Sequence, residues 1–139
     1  MKKLSKHKDE DVRIAVAKNP NCPPDILKKL SEQNFRDKYI ILWVAANPNC
    51  PSDILKKLSE HKDEDVRRGV AKNPNCPPDI LKKLSEQDFG DQYIMYDVAA
   101  NPNCPPDILK KLSKHKDSSV RSRVVKNPNC PLDILKKIS

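Results

Sequence analysis

Cysteine and histidine are the residues of this 139-residue chain whose thiols and imidazoles could bind a metal ion or attack a substrate. No Cys-x-x-Cys pair occurs and no histidine lies near a cysteine in sequence, so the spacing of structural zinc ligands is missing. We therefore predict no metal site and no cofactor. The residues concerned are Cys22, Cys50, Cys76, Cys104 and Cys130, and His7, His61 and His115.

Both residue types recur at fixed intervals, which favours a structural role. Neighbouring repeats stack about 10 Å apart, whereas a disulfide needs Cα atoms within about 7 Å. We therefore predict no disulfides between the cysteines of neighbouring repeats. We predict small, half-buried structural thiols, and unpaired cysteine is typical of a reducing compartment, hence a cytoplasmic location. The histidines, 54 residues apart, are predicted to be loop residues.

Catalysis finds no support in the composition. The chain has two glycines, too few for a phosphate-cradling loop, and every candidate nucleophile or base exists in near-identical copies. Catalytic residues belong to a single constellation rather than to five. We predict that the protein is not an enzyme and has no catalytic residues.

The cysteines belong to a thirteen-residue stretch, Asn-Pro-Asn-Cys-Pro-Pro-Asp-Ile-Leu-Lys-Lys-Leu-Ser, whose copies begin at residues 19, 47, 73, 101 and 127. The spacings alternate between 28 and 26 residues, which predicts a solenoid in which each unit packs on its neighbours. We predict one domain over residues 1–139. Its repeats are 7–32, 33–60, 61–86, 87–114 and 115–139, with 1–6 as the tail of a preceding half-repeat.

Each repeat is predicted to contain two helices, which makes the fold all-α. Val12 and Val16 lie four residues apart on one face of the first helix, and Pro20 follows the residue that ends it. Leu27 and Leu30 supply the apolar face of a second helix of about two turns. No capping repeat is recognisable at either end, so end-to-end self-association is one hypothesis for a partner.

The pattern Val-Arg-x-x-Val-Ala-x-Asn-Pro-x-x-Pro over residues 12–23, followed by Leu27 and Leu30, resembles the leucine-rich repeat variant family. The resemblance covers all five repeats, although Ile41 and Met95 replace the arginine in the two long ones. It implies a right-handed α-solenoid, a superhelix in which α-helices alternate with short helices that can be 3₁₀.

Comparing the repeats with one another locates the variable positions. Residues 7–60 and 61–114 differ at ten of 54 positions, and eight of these lie in or just ahead of the first helices. Two adjacent positions in the middle of each first helix vary most, and we call them the variable strip. Its residues are Ile14 and Ala15, Leu42 and Trp43, Arg68 and Gly69, Tyr96 and Asp97, and Ser122 and Arg123.

With Val12 and Val16 facing the core, the strip is predicted to face solvent. Drift of surface residues is one explanation, but drift should also have changed the Lys-Lys pairs, which are the same in every copy. Diversification for binding is the favoured explanation. Trp43 is then an exposed aromatic residue, and with Tyr39, Leu42 and Ile14 it forms an apolar patch typical of an interface.

The leading functional hypothesis is accordingly a non-enzymatic scaffold that binds a protein or peptide through this strip. The alternative is a nucleic-acid-binding solenoid, because the net charge is +8 and the second helices carry a ladder of lysines. The favoured explanation of those lysines is a solvated face, on which the helix dipole stabilises cations near the helix C-termini. The ladder is Lys28, Lys29, Lys56, Lys57, Lys82, Lys83, Lys110 and Lys111. No apolar run is long enough to predict a membrane partner.

Overall fold

The structure, a computed structural model, describes residues 2–138, and within that range it contains eleven α-helices and no strand. The all-α prediction is confirmed. The helices are α1 (Lys2–Ser5), α2 (Glu10–Lys18), α3 (Pro24–Gln33), α4 (Lys38–Ala46), α5 (Ser52–Leu58), α6 (Glu64–Lys72), α7 (Pro78–Gln87), α8 (Gln92–Ala100), α9 (Pro106–Leu112), α10 (Ser118–Lys126) and α11 (Leu132–Ile138).

The first helices are α2, α4, α6, α8 and α10, each nine residues long. An aspartate caps each of them; in α6, for example, the Asp63 side chain accepts the N–H of Asp65 at 2.8 Å. Each ends at the asparagine of an Asn-Pro pair, which is extended because the following proline disfavours helical geometry. Local sequence therefore determines both ends.

The second helices are α3, α5, α7, α9 and α11, and they are α-helical. The 3₁₀ geometry implied by the family resemblance is therefore not found in them. Leu27 N–H, for instance, donates to the Pro23 carbonyl four residues back at 3.1 Å. In α3, the side chains of Ile26, Leu27 and Leu30 are all buried on one side of the helix. The packing of this apolar face stabilises the α-helical conformation.

The core lies between the two sets of helices. Each first helix packs against the next first helix along the chain, and α3, α5, α7 and α9 each pack against the two first helices beside them. The core side chains come from the same positions of every repeat, such as Val70, Leu81 and Leu84 around α6 and α7.

The cysteines belong to this core. Four of the five are buried, and only Cys130 is half-buried, so the expectation of half-buried thiols is wrong for the other four. Burial raises the pKa of Cys50 and of Cys76 to about 12, and the negative charge of a nearby aspartate adds to the shift. That aspartate is Asp53 for Cys50 and Asp79 for Cys76. Thiols held in this state are poor nucleophiles and poor metal ligands.

Asparagine side chains connect successive Asn-Pro-Asn turns. The Asn73 amide donates to the carbonyls of Ala45 and Asn47, both at 2.7 Å, one turn back along the chain. Asn47, Asn101 and Asn127 make the equivalent pair of bonds to the turn before each of them. We call this series the asparagine ladder. The ladder provides a donor for carbonyls at the ends of the first helices, such as that of Ala45, and a second donor for turn carbonyls such as that of Asn47, which also accepts the Cys50 N–H.

Histidines strengthen two of the same junctions. His61 is a loop residue, as predicted, but it is buried, and its Nδ1 accepts the N–H of Asp63 at 3.0 Å. Its Nε2 therefore carries the proton and donates to the Phe35 carbonyl at 2.9 Å. His115 repeats the arrangement with Phe89, whereas His7 is exposed.

Candidate binding surface on the first helices

The variable strip does not face solvent throughout, and that part of the sequence-based expectation is wrong. Ala15, Tyr96 and Ser122 are exposed, whereas Gly69 and Asp97 are buried. The other five residues are half-buried: Ile14, Leu42, Trp43, Arg68 and Arg123. The reason is that the second residue of each pair from α4 onwards lies on the flank of its helix, where the preceding first helix packs.

The junction between α6 and α8 shows this most clearly. Arg68 Nε donates to Asp97 Oδ2 at 2.9 Å, and Asp97 is only 5% exposed. Burial raises the pKa of Asp97 above its usual range, and the Arg68 guanidinium opposes that shift. The two residues therefore form an ion pair between neighbouring first helices.

A cation and an aromatic ring meet at the next junction, between α8 and α10. The guanidinium of Arg123 lies 5.2 Å from the ring centroid of Tyr96, a distance at which a cation is attracted to the ring face. Arg68 lies over Tyr93 in the same way, at 5.5 Å. Each of these contacts again joins a residue to the neighbouring first helix.

Gly69 allows the closest approach, between α4 and α6. A Cβ at this position would lie 2.9 Å from the carbonyl oxygen of Leu42 and 3.1 Å from the Cβ of Ala45, so only glycine fits without a shift. Above it, Gly69 leaves an open notch of about 200 Å³ beside Leu42, Trp43 and Ala46.

Trp43 lines this notch and is half-buried, so the expectation of a fully exposed aromatic residue is corrected. Its ring packs against the apolar core, and the ammonium group of Lys18 lies 4.4 Å from the ring centroid. Lys18 thus covers part of the Trp43 ring, and another part of the ring lines the open notch.

Tyrosines are the aromatic residues that do reach solvent. Tyr39 is 58% exposed, Tyr93 55% and Tyr96 36%, and all three lie on first helices. Tyr93 was absent from the sequence-based set, although its place in the long repeat is the one that Tyr39 occupies. Tyr93 and Tyr96 line a groove of about 260 Å³ with Arg68 and Ser119.

Charge is distributed unevenly along the first helices. Their last residues form what we call the C-terminal edge: Lys18, Ala46, Lys72, Ala100 and Lys126. The three lysines are exposed and the two alanines half-buried. The first turns of α2 and α6 are instead acidic. The two rows are about 12 Å apart, the length of a nine-residue helix from first to last residue.

The lysine ladder lies on the second helices, away from this surface. The first lysine of each pair, Lys28, Lys56, Lys82 and Lys110, is exposed. The second is often engaged: the ammonium groups of Lys57 and Lys111 lie over the rings of Phe35 and Phe89, and Lys83 pairs with Glu60.

Among residues 2–138, no group of three or more histidine, cysteine, aspartate or glutamate side chains is arranged to hold a metal ion. None of the helices in that range is both long and apolar enough to cross a membrane. Comparison of the chain with protein-family models, with curated proteins and with solved structures finds no match. The resemblance to the leucine-rich repeat variant family therefore stays a prediction.

Proposed function

We propose that this protein is a non-enzymatic scaffold that binds a protein or peptide partner across its first helices. The observation that carries the proposal is the exposure of all three tyrosines of the chain, Tyr39, Tyr93 and Tyr96, on this one set of helices. The predicted five repeats, right-handed superhelix and cytoplasmic location belong to the same proposal.

Tyrosine suits such a surface because its ring offers a large apolar area with few rotatable bonds, and its hydroxyl group forms hydrogen bonds with a partner. Three tyrosines on an otherwise strongly charged exterior are therefore candidates for the energetic centre of an interface. The grooves between α4 and α6 and between α8 and α10 add concave sites for a partner's side chains.

The variable strip enters this proposal in a changed role. Arg68 and Asp97 form an ion pair with each other, and Gly69 fits closely against α4, so we attribute their identities to packing between helices. The rest of the strip remains at or beside the proposed surface: Ile14, Ala15, Leu42, Trp43, Tyr96, Ser122 and Arg123.

Nucleic-acid binding through the lysine ladder is the second candidate. It is favoured by the exposure of Lys28, Lys56, Lys82 and Lys110 on successive second helices. Phosphate contacts produce a steep salt dependence. A titration of labelled single-stranded and duplex DNA and RNA at 20 to about 200 mM salt tests it, and absence of binding at the lowest salt excludes it.

A selection from a library of random displayed peptides tests the leading proposal. We expect peptides that bind the wild-type chain and lose about tenfold or more in affinity when Tyr39, Tyr93 and Tyr96 are all changed to serine, since each aromatic anchor contributes about 1 kcal/mol or more. The measurement is fluorescence anisotropy of the selected peptides after synthesis.

The matched control changes an exposed apolar residue on a second helix, Leu132→Ser. Circular dichroism must show that both variants remain folded. Selected peptides that bind the tyrosine variant as tightly as wild type would overturn the proposal, as would a selection that enriches no peptide.

A further inference from the structure

The C-terminal edge of the first helices alternates between cations and small apolar residues. Short repeats place an exposed lysine there, Lys18, Lys72 and Lys126, and long repeats place Ala46 and Ala100. Along the edge, α2, α6 and α10 therefore end in a positive charge, and α4 and α8 between them end in a small apolar residue. No acidic residue interrupts this order along the edge.

The notch at Gly69 opens between the first two of these lysines. Leu42, Trp43 and Ala46 form its apolar side, and Lys72 lies at its border. Lys18 approaches from the other side, where it covers the Trp43 ring. An apolar cavity with an exposed cation on each side is the result.

The remaining charges at the notch are already paired. Asp65 lines it, but Lys38 Nζ lies 3.5 Å from the Asp65 carboxylate. Arg68 also lines the notch, and its guanidinium group forms an ion pair with Asp97. Asp65 belongs to the acidic first turn of α6, so it bounds the notch about 10 Å along that helix from Lys72. The acidic first turn of α2 lies at the same end of the first helices, away from Lys18.

We propose that the partner is an extended, acidic peptide segment that places an apolar side chain in the notch and carboxylates on Lys18 and Lys72. The inference rests on the proposed function above and specifies the chemistry of the partner. Charge complementarity supplies the reason for an acidic segment, because it steers association and selects against basic competitors.

The spacing of the helices specifies the peptide. Neighbouring first helices pack about 8–10 Å apart, so Lys18 and Lys72, two helices apart, are separated by about 16–20 Å. An extended chain in the polyproline II conformation rises about 3.1 Å per residue, so it covers this distance in about six residues. Its three residues per turn place residues i, i+3 and i+6 on one face. The carboxylates should therefore lie about six residues apart, with the apolar side chain midway between them.

The probe is a synthetic peptide, Glu-Ser-Ser-Leu-Ser-Ser-Glu, with a fluorescein label at one end. Trp43 is the only tryptophan of the chain, so its fluorescence reports occupation of the notch directly. We expect the unlabelled peptide to change Trp43 emission saturably. Control peptides with serine in place of leucine, or with glutamine in place of both glutamates, should leave the emission unchanged at the same concentration.

Two matched variants locate the charges. Lys18→Gln with Lys72→Gln should weaken binding of the labelled peptide about tenfold at low salt, as expected for the loss of two exposed ion pairs. Lys28→Gln with Lys82→Gln removes the same charge from the second helices of the same two repeats. That control should bind the peptide as the wild type does.

The outcomes separate this inference from the proposed function. If the library selection returns neutral or basic peptides that depend on the tyrosines, the binding surface stands and the acidic partner is wrong. If the two lysine variants weaken the probe equally, attraction is due to net charge alone and the notch is not the site. If the selection enriches no peptide and the probe does not change Trp43 emission, both the proposed function and the acidic partner are wrong.

Discussion

The asparagine ladder and the variable strip occupy the same junctions between neighbouring first helices, but they differ in one respect. The ladder uses identical residues and bonds at all four junctions that it crosses. The strip uses a different contact at each: a lysine over Trp43, the bare Gly69, the Arg68–Asp97 pair, and Arg123 over Tyr96.

The difference separates two requirements of a repeated fold. Identical ladders hold helices at a constant spacing but cannot distinguish one junction from another. The strip contacts can, because an arginine opposite an aspartate is not interchangeable with an arginine opposite a tyrosine. Sequence variation that resembles diversification for binding is therefore, in part, complementarity between neighbouring helices.

The largest expected effect comes from breaking one step of the ladder. Asn73→Ala removes three hydrogen bonds: the two ladder bonds and the turn bond that the side chain accepts from the Asn75 N–H. The buried Ala45 carbonyl loses its ladder donor, whereas the Asn47 carbonyl keeps the Cys50 N–H, and we expect a loss of about 2–4 kcal/mol in the free energy of unfolding. Chemical denaturation measures it.

Asn19→Ala is the matched control. Asn19 makes the same turn bond to the N–H of Asn21 that Asn73 makes to Asn75, but the structure shows no ladder bond from its amide among the described residues. We expect a loss of about 1 kcal/mol or less. Equal losses for the two variants would mean that the turn bond, rather than the ladder, stabilises the junction.

A smaller effect is expected from filling the close contact at Gly69. Gly69→Ala places a methyl group 2.9 Å from a backbone oxygen that cannot move independently, and we expect a net loss of about 1–3 kcal/mol despite the better helix propensity of alanine. Thermal and denaturant unfolding both report it.

Gly90→Ala provides the comparison, because nothing lies within 4 Å of an added Cβ there and its φ is not positive. This variant should be unchanged within about 0.5 kcal/mol or slightly more stable. If Gly69→Ala were equally well tolerated, the α4–α6 junction would be adaptable, and its notch would have no fixed shape.

The smallest effect should come from the ion pair between α6 and α8. A double-mutant cycle with Arg68→Ala and Asp97→Ala is expected to give a coupling energy of about 1 kcal/mol, since Arg68 remains partly exposed. The exchanged variant, Arg68→Asp with Asp97→Arg, should recover part of the stability that Asp97→Arg alone loses. Additive effects in the cycle would show that the pair does not distinguish this junction.

Much of the fold follows from local rules that the sequence displays directly. The caps at Asp63 and its equivalents, the stop before each proline and the apolar faces around Leu27 and Leu30 are all short-range features. The exposure of Tyr39 was predicted correctly for the same reason, because it lies on the face of α4 opposite the buried Val44 side. Helical periodicity is sufficient for such residues.

Helical periodicity did not predict that Asp97 and Gly69 are buried. Periodicity places both on the flank of a helix, and whether a flank is open or covered depends on how closely the next helix approaches. That distance depends on the residues opposite, which lie 24 to 29 positions away in the chain.

The sequence by itself determined the helices, their order and the constant turn that joins them, because these depend on neighbouring residues and on a period visible in one dimension. Only the tertiary structure decided which variable residues meet, which of them are covered by the neighbouring helix and where the notch beside Trp43 opens. These features arise between helices, where the size and charge of one side chain determine the space left for another.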